Sequence, residues 1–113
     1  MDTFTVLAEP TRRSILEMLA ADGRMPASAI YKRFGVSAPA ISQHLKVLKE
    51  AKLVSVERKA QQRIYYVNPQ PLKDMEKWIR QFTMRVDKQY QRLDALLVKE
   101  KEKLKPQQPE LFT

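Results

Sequence analysis

Apolar positions recur at helical spacing along most of this chain. In the stretch from Val36 to Ala51, Ile41, Leu45 and Leu48 fall at i, i+4 and i+7, a stripe that docks one helix face on a core. Ser37 stands at the N-cap, and Pro39 is tolerated in the first turn because no intrahelical donor is needed there. The opposite face shows Ser42, Gln43 and Lys46, with Lys49 at its edge and no large apolar group. Upstream, Ala27 to Phe34 reads as a shorter helix ended by Gly35, with Ile30 and Phe34 inward and Lys32 and Arg33 outward. Asp2 to Ala8 predicts a short amphipathic helix with Phe4 and Leu7 on one side. Glu9-Pro10 restarts the chain, and Thr11 to Ala21 puts Ile15, Met18 and Leu19 inward with Arg12, Arg13 and Glu17 outside. Asp22-Gly23 closes that helix, Gly23 suiting a left-handed C-cap, and Arg24-Met25-Pro26 is expected to be a linker.

The period changes after the central helix. Val54 to Lys59 and Arg63 to Asn68 are rich in β-branched and aromatic residues, which predicts a β-hairpin. The connection Ala60-Gln61-Gln62 lacks the Asn-Gly signal of a two-residue turn, so a longer, mobile tip is expected. Its flanks are basic: Arg58, Lys59 and Arg63 stand against Glu57 alone. Tyr65 and Tyr66 are adjacent and therefore point to opposite faces, which forms no continuous platform for stacking RNA bases. Pro69 and Pro71 end the hairpin. From Leu72 to about Leu104 there is neither Gly nor Pro, and Leu72, Met75, Ile79, Phe82, Val86, Leu93 and Leu97 are spaced mostly by three and four. Trp78, Tyr90 and Leu96 widen the stripe. A helix of this length exceeds what a small domain covers, so a second copy is expected to bury Met75, Ile79, Phe82, Val86, Tyr90, Leu93 and Leu97, together with Phe4 and Leu7. A different protein partner on the same helix is the competing reading. Lys99 to Lys103 alternates in charge, and residues 105–113 are expected to be a disordered tail.

The fold class predicted is mainly α with a small β-hairpin: a winged helix-turn-helix over 1–71 and a long dimerisation helix over 72–104. The chain has 113 residues, 43% of them apolar and only two Gly, which is compatible with one modest core. Absence of cysteine removes disulfides, thiol catalysis and thiolate metal sites, and a single histidine removes a multi-histidine site within one chain. No nucleophile–base constellation and no Gly-rich phosphate loop is present, so no enzyme, no metal and no cofactor is expected. No apolar run spans a bilayer and the start lacks a signal-peptide pattern, so no membrane is expected and the cytoplasm is the expected compartment.

The formal charge of +8 points to a polyanion. Residues 37–68 hold six basic and two acidic side chains, so the excess concentrates around the central helix and the hairpin. Two short helices joined at a Gly turn, the second polar outside and followed by a basic hairpin, form a helix-turn-helix with a wing. Double-stranded DNA is the expected partner. Gln43 suits the paired donor–acceptor contact to adenine, and Ser42 reaches either a base or a phosphate. Lys32, Lys46, Lys49, Arg58, Lys59 and Arg63 are the candidates for phosphate or groove contact. His44 lies at the flank of the apolar stripe, where a structural hydrogen bond and a DNA contact are equally open.

Together these elements resemble the ArsR/SmtB family of winged-helix transcriptional repressors. The resemblance is carried by Leu7-Ala8-Glu9-Pro10-Thr11-Arg12-Arg13-Ser14-Ile15-Leu16, by Gly35-Val36-Ser37 leading to Ile41-Ser42-Gln43-His44-Leu45-Lys46-Val47-Leu48, by Ala51-Lys52-Leu53-Val54, and by Arg63-Ile64-Tyr65-Tyr66. It implies a homodimer holding two recognition helices on a pseudo-palindromic operator. Ser37, Ala38, Pro39, Ser42, Gln43 and His44 would then stand nearest the DNA, with Lys46 near phosphate. Metal-sensing relatives carry Cys-x-Cys where this chain has Pro26-Ala27-Ser28, and histidines on the terminal helix that this chain lacks. The resemblance is therefore to a branch without metal response, its small-molecule inducer unreadable.

Overall fold

The stripe Ile41, Leu45 and Leu48 is buried completely, at the centre of the core that Val6 to Tyr65 supply. In the computed structural model, which describes residues 1–103, the elements are α1 (Thr3–Leu7), α2 (Pro10–Asp22), β1 (Met25–Pro26), α3 (Ala27–Arg33), α4 (Ala38–Glu50), β2 (Val54–Lys59), β3 (Gln62–Val67) and α5 (Gln70–Lys103). The tail expected over 105–113 lies outside the described residues. Contacts divide the chain into two units, Met1–Met75 and the chain from Glu76 onward.

In the first unit, the starts of α1, α2 and α4 are fixed by side chains, while α3 begins after Pro26 without one. Asp2 accepts from the Thr5 amide, Glu9 from the Arg12 amide and Ser37 from the Ala40 amide. Gly23 ends α2 at φ 81°, the left-handed value only glycine takes without strain. The core joins Val6, Ile15, Leu16, Leu19, Met25, Ile30, Leu53, Val54 and Tyr65 to the α4 stripe. At about 1.5–3 kcal/mol for each large side chain fully buried, this cluster is the main stabilising element of the unit.

Several expectations are corrected. The linker Arg24-Met25-Pro26 contains a strand: Met25 pairs with Tyr65 and Pro26 with Ile64, so the hairpin is part of a three-stranded antiparallel sheet in the order β1-β3-β2. The hairpin tip is short, because Lys59 pairs with Gln62 and leaves only Ala60-Gln61 as the connection. Ala60 supplies the positive φ of 57° that such a turn needs, without glycine. α1 adds to the core Val6, which the spacing does not single out, while Phe4 is 45% exposed and Leu7 half-buried. On α2, Leu16 is buried and Met18 only partly so. Arg12 leaves the outer face: its Nε donates to the Val6 carbonyl at 2.8 Å. Pro71 opens the long helix instead of ending the hairpin, since a first turn requires no donor from it.

The α4–β2 junction is a tight C-cap. Leu53 N–H donates to the Leu48 carbonyl and Lys52 N–H to the Lys49 carbonyl, both at 3.0 Å, with Lys52 at φ 61°. Asn68 clamps this turn to the end of the sheet. Its Nδ2 donates to the Lys52 carbonyl at 2.8 Å, and its Oδ1 accepts from the Gln70 amide as α5 begins.

The second unit is the remainder of α5. The whole helix has 34 residues and is about 51 Å long at 1.5 Å per residue. Its apolar side chains are largely open: Ile79, Phe82, Tyr90, Leu93 and Leu96 are exposed, and Trp78 stacks on Phe82 with centroids 5.4 Å apart. No helix among the described residues is long and apolar enough to cross a membrane.

Candidate nucleic-acid interface

Burying Ile41, Leu45 and Leu48 turns the other side of α4 outward, and Pro39, Ser42, Gln43, Lys46 and Lys49 are all exposed. Ser37 and Ala38 stand exposed at its N-terminal end. The sheet brings the wing alongside. Val54, Val56 and Arg58 on β2 pair with Val67, Tyr65 and Arg63 on β3, so these six side chains share one face. Its inner part packs on the core and its outer part carries the two arginines beyond it. The result is a cleft of about 460 Å³ between α4 and the wing, lined by Ser42, Lys46, Lys49, Val56, Arg58, Arg63 and Tyr65. Four cations thus surround an opening also lined by Tyr65 and Val56, and their summed charge suits an anionic group.

Other predicted residues stand apart from this cleft. Lys59 alternates to the opposite strand face from Arg58 and Arg63, and Lys32 is exposed on α3. Arg33 is held by Asp22 at 2.7 Å. On the reverse face of the wing, Arg24 pairs with Glu57 and lies 4.1 Å over the Tyr66 ring. That contact uses up the acidic residue next to the tip and leaves Arg58 and Arg63 without it.

His44 turns away from the exposed face. Its side chain is 21% exposed, with Nδ1 3.4 Å from a terminal nitrogen of Arg12 and 3.8 Å from Glu9 Oε2. Burial pushes the Glu9 carboxyl up, but the Arg12 amide, His44 and the Thr11 amide outweigh it and hold the group below the ordinary 4.5. Sequence reasoning missed Arg12 and Asn68. A charged residue on an amphipathic helix reads as solvated, and only the fold reveals the carbonyl or ring that it meets.

Comparison with known proteins agrees with this geometry. Residues 7–57 match a helix-turn-helix domain family. The chain is 38% identical over 86 residues to the transcriptional repressor SdpR of Bacillus subtilis (strain 168), covering 76% of this chain and 94% of that protein. A solved structure described as a possible transcriptional regulator for arsenical resistance is 36% identical, with a TM-score of 0.65 over 73% of this chain and 84% of the other. An ArsR-like transcriptional regulator from Rhodococcus sp. RHA1 shares the fold at 24% identity and a TM-score of 0.74, over 82% of this chain and 87% of its own. The winged helix-turn-helix, its cationic cleft and these relatives lead to one conclusion: the chain belongs to the ArsR/SmtB family of winged-helix, DNA-binding transcriptional regulators, which are not enzymes.

Proposed function

We propose that this regulator is a homodimeric repressor that occupies a pseudo-palindromic operator in the cytoplasm and blocks its promoter without responding to metal. The observation that carries the reading is the cleft in which α4 and the wing bring Ser42, Lys46, Lys49, Arg58 and Arg63 together. Its cations supply sequence-independent affinity through phosphate, and Gln43 and Ser42 discriminate bases by about 1–3 kcal/mol for each good contact. Ser37, Ala38 and Pro39, at the leading end of α4, approach the groove with them. Lys32 and Lys59 add outlying positive charge.

Pairing is supported by the open apolar face of α5. Ile79, Phe82, Tyr90 and Leu93 are exposed, Val86 and Leu97 half-buried, and these recur at helix-packing intervals. Met75 continues the same sequence spacing. Phe4 and Leu7 are what α1 offers to a partner. Independence from metal is supported by the chain's lack of cysteine and by its single histidine, whose Nδ1 already faces Arg12 and Glu9.

Sedimentation combined with footprinting tests the proposal. A dimer at micromolar concentration that protects a symmetric site upstream of a regulated gene, unchanged by chelator or added zinc, is expected. A monomer that protects nothing, or a stable heteromer with another protein through α5, would overturn it.

A further inference from the structure

Burial of Ile41, Leu45 and Leu48 holds α4 on the core, but apolar contact has little directional preference. Rolling a helix by about 20° moves a side-chain tip about 6 Å from the axis by about 2 Å. Base-edge hydrogen bonds tolerate only a few tenths of an ångström. Something directional must therefore set the roll of this helix if Gln43 is to meet a base edge.

The flank of α4 carries such a contact. The Arg12 guanidinium donates through Nε to the Val6 carbonyl at 2.8 Å and presents a terminal nitrogen to His44 Nδ1 at 3.4 Å. The backbone amide of Arg12 donates to Glu9 Oε2 at 3.0 Å, and that same oxygen lies 3.8 Å from His44 Nδ1. The Arg12 guanidinium thus ties the end of α1 to the middle of α4, and the backbone amide of the same residue ties in the N-cap of α2. We propose that the Glu9–Arg12–His44 link is a positioning device for sequence readout, setting the rotation of α4 and hence where Ser42 and Gln43 stand against the bases. With the ring proton on Nε2, Nδ1 accepts from Arg12, and the guanidinium serves both partners at once. A lysine ammonium lacks the rigid spread of donors to do so.

The inference rests on α4 being the helix that reads sequence. Duplexes preferred by the wild-type protein are selected from a random pool, and affinity is then measured for a selected duplex and a scrambled one. Arg12→Lys, His44→Leu and His44→Asn are compared at a temperature where melting shows all of them folded. Arg12→Lys and His44→Leu are expected to lower the ratio of selected to scrambled affinity about tenfold, part of one bidentate base contact, with scrambled binding within twofold of wild type. His44→Asn keeps an acceptor oxygen where Nδ1 stands and restores most of the ratio. Equal loss on both duplexes, or an unchanged ratio, would overturn the positioning role. So would a loss with His44→Leu but not with Arg12→Lys, which makes His44 a direct base contact. A wild-type protein that prefers no duplex removes the reading of α4 itself, an outcome distinct from these.

Discussion

Arg58 and Arg63 stand directly opposite one another in the register of the β2–β3 hairpin, both exposed, on the strand face that bears buried Tyr65 nearer the core. Like charges at paired positions of an antiparallel sheet destabilise it, by about 0.2–1 kcal/mol, and sequences ordinarily avoid them. Here the pair borders the cleft beside Lys46 and Lys49, where a phosphate of the proposed DNA partner would relieve the repulsion. Stability of the free protein and affinity for DNA should therefore respond with opposite signs. Arg63→Gln is expected to raise the melting temperature of the free protein at low salt, the gain fading as salt screens the pair. The same change should weaken every duplex alike and reduce the slope of log affinity against log salt by about 0.9, one phosphate's worth. Calorimetry and a salt titration of binding check the two halves separately.

Lys52 holds the left-handed position at the end of α4, φ 61°, where glycine is the usual occupant. A left-handed non-glycine residue costs roughly 1–2 kcal/mol, and glycine's extra freedom in the unfolded chain offsets part of its removal. Lys52→Gly is therefore expected to stabilise the protein by about 0.5–1 kcal/mol, read from the denaturant midpoint at unchanged slope. The Lys52 amide that donates to the Lys49 carbonyl and the Lys52 carbonyl that accepts from Asn68 Nδ2 are backbone groups, so both hydrogen bonds survive the substitution.

Periodicity made the central helix legible because three apolar residues at i, i+4 and i+7 leave only one face for a core. On α1, five residues complete too few turns for periodicity to show that Val6 enters the core. It had nothing to work on at Met25-Pro26, a two-residue strand recognisable only from its partner Tyr65. At the hairpin tip the missing Asn-Gly argues against a tight turn, yet Ala60 adopts the left-handed conformation and closes one. Within the candidate site, the basic charge around the tip marks Arg58, Lys59 and Arg63 together, and only the strand register separates Lys59 from the face that Arg58 and Arg63 share. The Arg12 link was invisible, since it joins residues 32 apart and depends on how α2 crosses α4.

The open face of α5 makes a prediction about assembly. Phe82 is 52% and Leu93 41% exposed, and both are expected to be buried when two copies pair. Replacing both by glutamate removes four apolar side chains from a symmetric interface. At about 1.5–3 kcal/mol for a fully buried side chain, even half-burial of the four amounts to about 3 kcal/mol, roughly a hundredfold in dissociation constant. Sedimentation over a concentration series should show the double variant as a monomer where the wild type is a dimer. Helical circular dichroism of the monomer reports whether α5 persists without its partner.

The acid limb of stability is set in part by two helix caps. The Thr5 amide and hydroxyl hold the Asp2 carboxyl below its ordinary 3.8, while Glu9 lies below 4.5 because the Arg12 and Thr11 amides, His44 and Arg12 outweigh the upward push of burial. A carboxyl whose value is depressed on folding binds protons more readily in the unfolded chain. Its contribution is complete above the unfolded value, near pH 4 to 4.5, and is lost as pH falls through the lower folded value. Melting temperature should therefore be insensitive to these groups at neutral pH and decline below about pH 4.5. Glu9→Gln retains an oxygen for the Arg12 amide but cannot titrate, so its melting curve should fall less steeply with acid than the wild type's. An identical slope in the two proteins over pH 3 to 5, measured at fixed ionic strength, would show that the Glu9 cap takes no part in acid unfolding.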